Sequence, residues 1–173
     1  MHHRRVECRG YRREDGLWDI EGHLLDTKPF DIPNAERGGA IRAGEALHEM
    51  WIRLTVDTDL VVQQVEAKTD FGPYGVCGDI TGNFQALVGL RIAPGWTLKT
   101  RTLLGGVKGC THLVELLGPI ATTAFQTIYP ARVQRESASR PLLLDSCHAY
   151  RSDGALVKAK WPNFYTGPAR TDR

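Results

Sequence analysis

"LWDIEGHLLDTK", residues 17–28, decides the fold. Trp18, Ile20 and Leu24 fall on one face of an extended chain, and Asp19, Glu21 and His23 fall on the other. A period of two residues marks a half-buried β-strand. Asp26 and Lys28 continue the apolar face at the strand's end, which turns an acid and a base inward. Charges there are expensive unless paired or solvated by a pocket.

Outward from this strand, "REDG" at 13–16 is a turn signal, so residues 4–13 and 17–28 read as a hairpin. Residues 29–44 hold two prolines and three glycines and read as a loop. A third strand is expected over 46–57, with His48, Met50, Ile52, Leu54 and Val56 on its apolar side. "LVVQQVEAKT", 60–69, gives a fourth. Beyond it a helix is expected with Asp79 as N-cap and Ile80, Phe84, Leu87 and Val88 on its buried face, ended by "PGW" at 94–96. A second helix begins near Cys110. Leu113, Leu116, Leu117, Ile120, Ala121, Ala124, Phe125 and Ile128 form its apolar stripe, and Pro119 should bend it. Residues 135–141 read as a linker, "LLLDSCHAY" (142–150) as a late strand and "WPNFYTG" (161–167) as an ordered tail. Strands first and helices later give an α+β fold, an antiparallel sheet with two main helices packed on one face.

The 173 residues suit one domain spanning 1–173. Hydrophobic residues at 42% and charged residues at 24% are globular values. The net charge of +2 gathers mostly in "HHRRVECRGYRR", a cluster expected to be a solvated end. No basic stripe with interleaved aromatics points to nucleic acid, and no stretch approaches a membrane span. No apolar leader opens the chain, so a cytoplasmic location is expected. The four cysteines form no CxxC pair and read as free thiols, ligands or core residues.

Chemistry concentrates at "GGVKGCTHLVELLGPIATTAFQTIYP", 105–130, which delivers Cys110, Thr111 and His112 to a helix start. Unpaired N–H groups and the positive dipole end favour thiolates and anions there. His112, Glu115, Thr122, Thr123 and Gln126 form a polar stripe with a single charged residue. That composition suits a sheltered pocket or an interface. Cys77 lies just before the other expected helix, and His48 sits on an apolar strand face. Tyr74, Trp51, Trp96 and Phe71 could wall an aromatic cavity. No nucleotide or flavin fingerprint occurs.

Together "YRREDGLWDIEGHLLDTKPFDI", "HEMWIRLTVD", "VEAKTDFGPYGVC", "GCTHLVELLGPIATTAFQT" and "HAYRSDGALVKAKWPNFYTG" resemble the bacterial family catalogued as domain of unknown function 2889. The resemblance covers nearly the whole chain. It implies a compact cytosolic protein and names no activity. Its signature positions here are Asp26, Lys28, His48, Cys77 and Cys110 to His112. A fainter resemblance is to iron–sulfur scaffold proteins of the NifU type, through Cys77-Gly78-Asp79, Gly109-Cys110 and Cys147-His148. The last pair stands in reversed order, and Cys77 precedes a helix rather than a strand.

The first expectation is an enzyme without an organic cofactor, acting on an aromatic or similar small metabolite by lyase or isomerase chemistry, for example retro-aldol cleavage. His112, Lys28 and Asp26 are its acid/base residues; Cys110, Thr111, Cys77, Tyr74, His48 and Thr123 line its site. A second expectation is a zinc, iron or cluster carrier using Cys77, Cys110 and His112. A third is a non-catalytic module whose polar stripe meets a partner or a second copy of the chain.

Overall fold

The computed structural model describes residues 1–135 and 140–167. They fall into two compact units, Met1–Pro130 and Ala131–Arg173. Of the linker expected at 135–141, residues 136–139 lie outside the described ones.

In the first unit, β1 (His3–Arg12), β2 (Trp18–Thr27), β5 (Ala46–Val56) and β6 (Val62–Phe71) form an antiparallel sheet in the order β1-β2-β5-β6. The short β3 (Ile32–Asn34) and β4 (Gly39–Ile41) pair with each other within the expected loop. The fold is therefore α+β, with the alternation of residues 17–28 setting its register. Trp18, Ile20, Gly22, Leu24 and Asp26 are all buried, and Asp19, Glu21 and His23 are not. On β5, Met50, Ile52, Leu54 and Val56 share that buried face.

That face is covered by α2 (Thr111–Arg135). Leu113, Leu116, Leu117, Ile120, Ala124 and Ile128 are all buried, at about 1.5–3 kcal/mol for each fully buried Leu or Ile, whereas Ala121 and Phe125 of the expected stripe are only half-buried. The approach is close. A Cβ on Gly22 would lie 2.6 Å from Cδ1 of Ile120, so any larger residue there must push that side chain aside. Both Pro119 and Pro130 lie inside α2, which continues through them.

The first expected helix is replaced by a run of 3-10 turns over Gly75–Leu87. It starts after Tyr74 rather than at Asp79, which caps nothing. Gly75, Gly78 and Gly82 weaken an α-helix here, and the segment instead lies along the free edge of β6. Gln85 donates to the Val65 carbonyl at 2.6 Å, and Thr69 donates to that of Cys77 at 3.5 Å. A long edge strand is thereby covered. "PGW" opens a helix instead of closing one. Gly95 takes φ +88°, and α1 (Trp96–Leu104) begins directly after it. The buried Trp96 indole donates to the Leu117 carbonyl at 3.0 Å, tying α1 to α2.

In the second unit the expected strand over 142–150 is absent. Asp145, at φ +60°, turns the chain back, so that its N–H donates to the Tyr150 carbonyl. A 3-10 turn follows at His148–Tyr150, then α3 (Ala155–Lys160), with the Tyr150 and Trp161 rings in contact at 5.4 Å. The expected tail carries a 3-10 turn at Pro162–Phe164. Among the described residues, no helix is long and apolar enough to cross a membrane.

Candidate active site at the end of the sheet

Antiparallel register places Arg4 opposite Asp26, and Asp26 opposite His48. These three side chains form one row across β1, β2 and β5, on the face that α2 covers. A bulge follows directly after Asp26 and ends the regular ladder. The next row inward is Val6, Leu24, Met50 and Thr69, so the polar row sits at the rim of the apolar core.

Asp26 is fully buried, and its carboxylate is heavily partnered. Arg4 donates Nε to Oδ1 and Nη2 to Oδ2, both at 2.7 Å. His2 Nε2 lies 3.1 Å from Oδ1, and His48 Nδ1 lies 3.1 Å from Oδ2. The first turn of α2 brings His112 Nε2 to 3.6 Å from Oδ2. Arg4 also pairs with Glu115, one turn further along the helix. Burial pushes the Asp26 carboxyl up, but the hydrogen bonds and charge of Arg4, helped by His2, outweigh it and hold the group at about 2. The buried carboxylate is ionised because a bidentate guanidinium matches both of its oxygens.

His48 and His112 stack with ring centroids 3.8 Å apart and planes 30° apart. Both are pushed below the ordinary histidine range. For His48 the causes are burial and then His112; for His112 they are burial and then Arg4, with Asp26 pulling each the other way. Neutral imidazoles at neutral pH follow. An ionised carboxylate only accepts, so His48 presents Nδ1–H to Asp26 and keeps a lone pair on Nε2. Turning Nε2–H of His112 toward Asp26 leaves its Nδ1 lone pair facing Cys110, whose Sγ is 3.8 Å away. Cys110 Sγ also lies 3.7 Å from Met50 Sδ. The side chains of His48 and His112 keep 14% and 22% of their exposure.

The structure thus joins Asp26, His48, Cys110 and His112, and it separates the other expected residues from them. Lys28 lies beyond β2, with its ammonium over the Phe30 ring at 5.5 Å. The partner of Asp26 is Arg4, because the chain leaves the regular ladder at the bulge before Lys28. Cys77 packs on Gly72 beneath Thr69. Thr123 lies further along α2 against the Cys8 thiol, so the polar stripe of α2 does not line one pocket. Thr111 faces a cleft of about 460 Å³ between α1 and α2, beside Arg101 and Glu115. Tyr74 is 60% exposed and borders, with Phe71, a cleft of about 300 Å³. Trp51 stacks on His23 at 3.7 Å on the opposite face of the sheet, and Trp96 is buried, so the four aromatics wall no common cavity.

Two contributors escape the sequence reading: Arg4 and His2, both placed with the solvated basic end. The signal for Arg4 was available. Closing the turn between Arg13 and Leu17 sets Arg4 opposite Asp26.

Residues 2–126 match the family described as "Protein of unknown function (DUF2889)". The chain belongs to that family. No curated protein and no solved structure matches it.

Proposed function

We propose that this DUF2889 protein is an enzyme that moves protons on a small carbonyl-bearing substrate at the Asp26, His48 and His112 cluster, in lyase or isomerase chemistry. The observation that carries this reading is the pair of stacked, partly exposed neutral imidazoles beside a buried, ionised carboxylate. A neutral imidazole whose other nitrogen is held by a carboxylate is a general base at neutral pH, and its imidazolium is then stabilised as it forms. In retro-aldol cleavage, His112 would take the proton from the substrate hydroxyl. The C–C bond then breaks, an aldehyde leaves, and a protonated imidazole returns a proton to the carbanion.

Aldehyde release from a panel of β-hydroxy carbonyl compounds, aromatic and aliphatic, tests the proposal. The expected result is turnover that falls at least ~100-fold in His112→Ala. Turnover retained in that variant removes His112 from the mechanism.

A metal reading has its own observation. One oxygen of Asp26 and one nitrogen each of His48 and His112 lie within 4.8 Å of one another. Cys77 is not in that group, so the expected Cys77, Cys110 and His112 set is not the one drawn together among the described residues. One feature favours proton transfer over shared ligation: Arg4 already occupies both carboxylate oxygens of Asp26. Elemental analysis of protein purified without chelator or nickel resin decides the matter. About one equivalent of zinc or iron per chain, lost in His48→Ala, would replace the proton-transfer reading.

A further inference from the structure

The approach to α2 is built to hold one thiol in place. A Cβ on Gly109 would run into the carbonyl oxygen of Leu104, so this stretch of chain packs directly against the end of α1. Cys110 follows, and its carbonyl accepts the Val114 N–H at 2.9 Å, which makes it the residue that caps α2. Its side chain therefore sits where the first N–H groups of a 25-residue helix have no intrahelical acceptor. It is half-buried, with Met50 Sδ on one side and Nδ1 of His112 at 3.8 Å on the other. Continuing from His112, Nε2 lies 3.6 Å from Asp26, which Arg4 and His2 fix in turn. Sulfur, imidazole and carboxylate thus follow one another at 3.8 and 3.6 Å, separations that a small side-chain movement closes to hydrogen bonds.

We propose that Cys110 is a nucleophile toward carbonyl carbon, with His112 as its base and Asp26 orienting the imidazole, so that the site can carry a substrate acyl group as a thioester. The arrangement is that of nucleophile, base and orienting acid, in which contacts are often long before substrate binds. In the forward step the Cys110 thiol gives its proton to Nδ1 of His112, and Sγ bonds to the carbonyl carbon. The C=O π pair moves onto oxygen, which faces the free N–H groups of the first turn of α2. The intermediate collapses, the bond to the leaving oxygen breaks, and that oxygen takes the proton from His112. Water, deprotonated by His112, then attacks the thioester, releasing the acid and restoring the thiol. The groups facing this pair are Asp26 from β2, His48 from β5, Arg4 and His2 from the start of β1, and Glu115 from α2 itself. The inference rests on the proposed reading of His112 as a proton carrier.

The test uses p-nitrophenyl acetate on the full chain, in which all four thiols, Cys8, Cys77, Cys110 and Cys147, are free. The expected result is a burst approaching one nitrophenolate per chain, with the acetyl group found on the Cys110 peptide by mass spectrometry ahead of the more exposed Cys147. His112→Ala should slow the burst at least ~100-fold. Competition among the four thiols of the wild type needs no variant and stands even if that variant folds poorly. Labelling that follows exposure, led by Cys147, overturns the proposal. So does a wild type without a burst that still releases aldehyde in a His112-dependent way, a result that leaves the proton-transfer reading intact. A Cys110 burst without any such turnover supports the nucleophile and removes that reading instead.

Discussion

Asp26→Asn keeps the shape of the side chain and removes its charge, so it isolates the ion pair at the centre of the site. The folded carboxyl lies at about 2 against an ordinary 3.8. At 1.36 kcal/mol per pKa unit, this corresponds to roughly 2 kcal/mol of stability. The Arg4 side chain is 34% exposed, so solvent screening takes the figure to its lower end. Because the folded value is depressed, the stabilisation is complete above the unfolded value near 4. It is lost as pH falls through about 2. The variant also leaves Arg4 with a neutral partner, and removing one member of a buried pair costs about 3–5 kcal/mol where both are desolvated. With Arg4 partly in water and Glu115 beside it, a loss of about 2–3 kcal/mol at pH 7 is expected. Urea unfolding of wild type and variant at half-unit steps from pH 5 to pH 2.5 measures the difference. The gap between the two curves should narrow steadily below pH 4. Lys28→Met is the control, and its curve should stay parallel to the wild type throughout. Parallel curves for Asp26→Asn would show that the folded carboxylate is not held by charge. A variant more stable than wild type at pH 7 would show that desolvation outweighs the pair.

The two imidazoles give a second pH signature. Their folded pKa values lie below the ordinary 6.5, so the unfolded chain binds protons first as pH falls. Their contribution is complete above that value and is lost on the way down toward the folded ones. Wild type should therefore lose more stability between pH 7 and pH 5 than a His48→Gln/His112→Gln double variant; equal slopes in urea unfolding would refute neutral stacked rings. Gly22→Ala presses a methyl group into Ile120 and should cost about 1–3 kcal/mol in thermal or urea unfolding. Adding Ile120→Val should recover part of that loss, and no recovery would mean that the helix does not bear on the sheet at this point.

The sheet was legible because one face is buried. Slipping "LWDIEGHLLDTK" by a single residue would expose Trp18, Ile20 and Leu24, so the alternation fixes both strand and register. The same alternation marked Asp26 as inward. It misled at Lys28, because a bulge ends the pairing there and alternation carries no sign of a bulge. Gly95 was ambiguous for a different reason. A left-handed glycine can end one helix or open the next, and the nine residues of α1 carry too few apolar positions to decide it. Leu142 to Leu144 read as a strand from hydrophobicity alone, whereas the turn at Asp145 depends on bonds to Arg140 and Ser152 on either side. At the site, Cys110 and His112 could be seen as neighbours at a helix start. Their meeting with His48 and Asp26 depends on α2 crossing the rim of the sheet, a tertiary fact.

The row of Arg4, Asp26 and His48 invites a purely structural reading, and energetics separates it from a functional one. Buried ion pairs contribute little net stability, and apolar groups of similar volume often serve as well or better. If this row exists only to close the end of the core, Arg4→Met/Asp26→Leu/His48→Leu should fold with stability within about 1–2 kcal/mol of wild type, or above it. A site that evolved for proton transfer gives the same stability result and a different chemical one. His112 then stands without a carboxylate behind it, and an imidazolium formed there has no counter-charge from β2. Both the acetylation of Cys110 and aldehyde release should collapse together in a protein that remains folded by circular dichroism and cooperative unfolding. A folded triple variant that keeps both reactions would make the row a packing device. Loss of chemistry with stability intact would mean that three charged or polar side chains occupy the rim of an apolar core for the reactions they support.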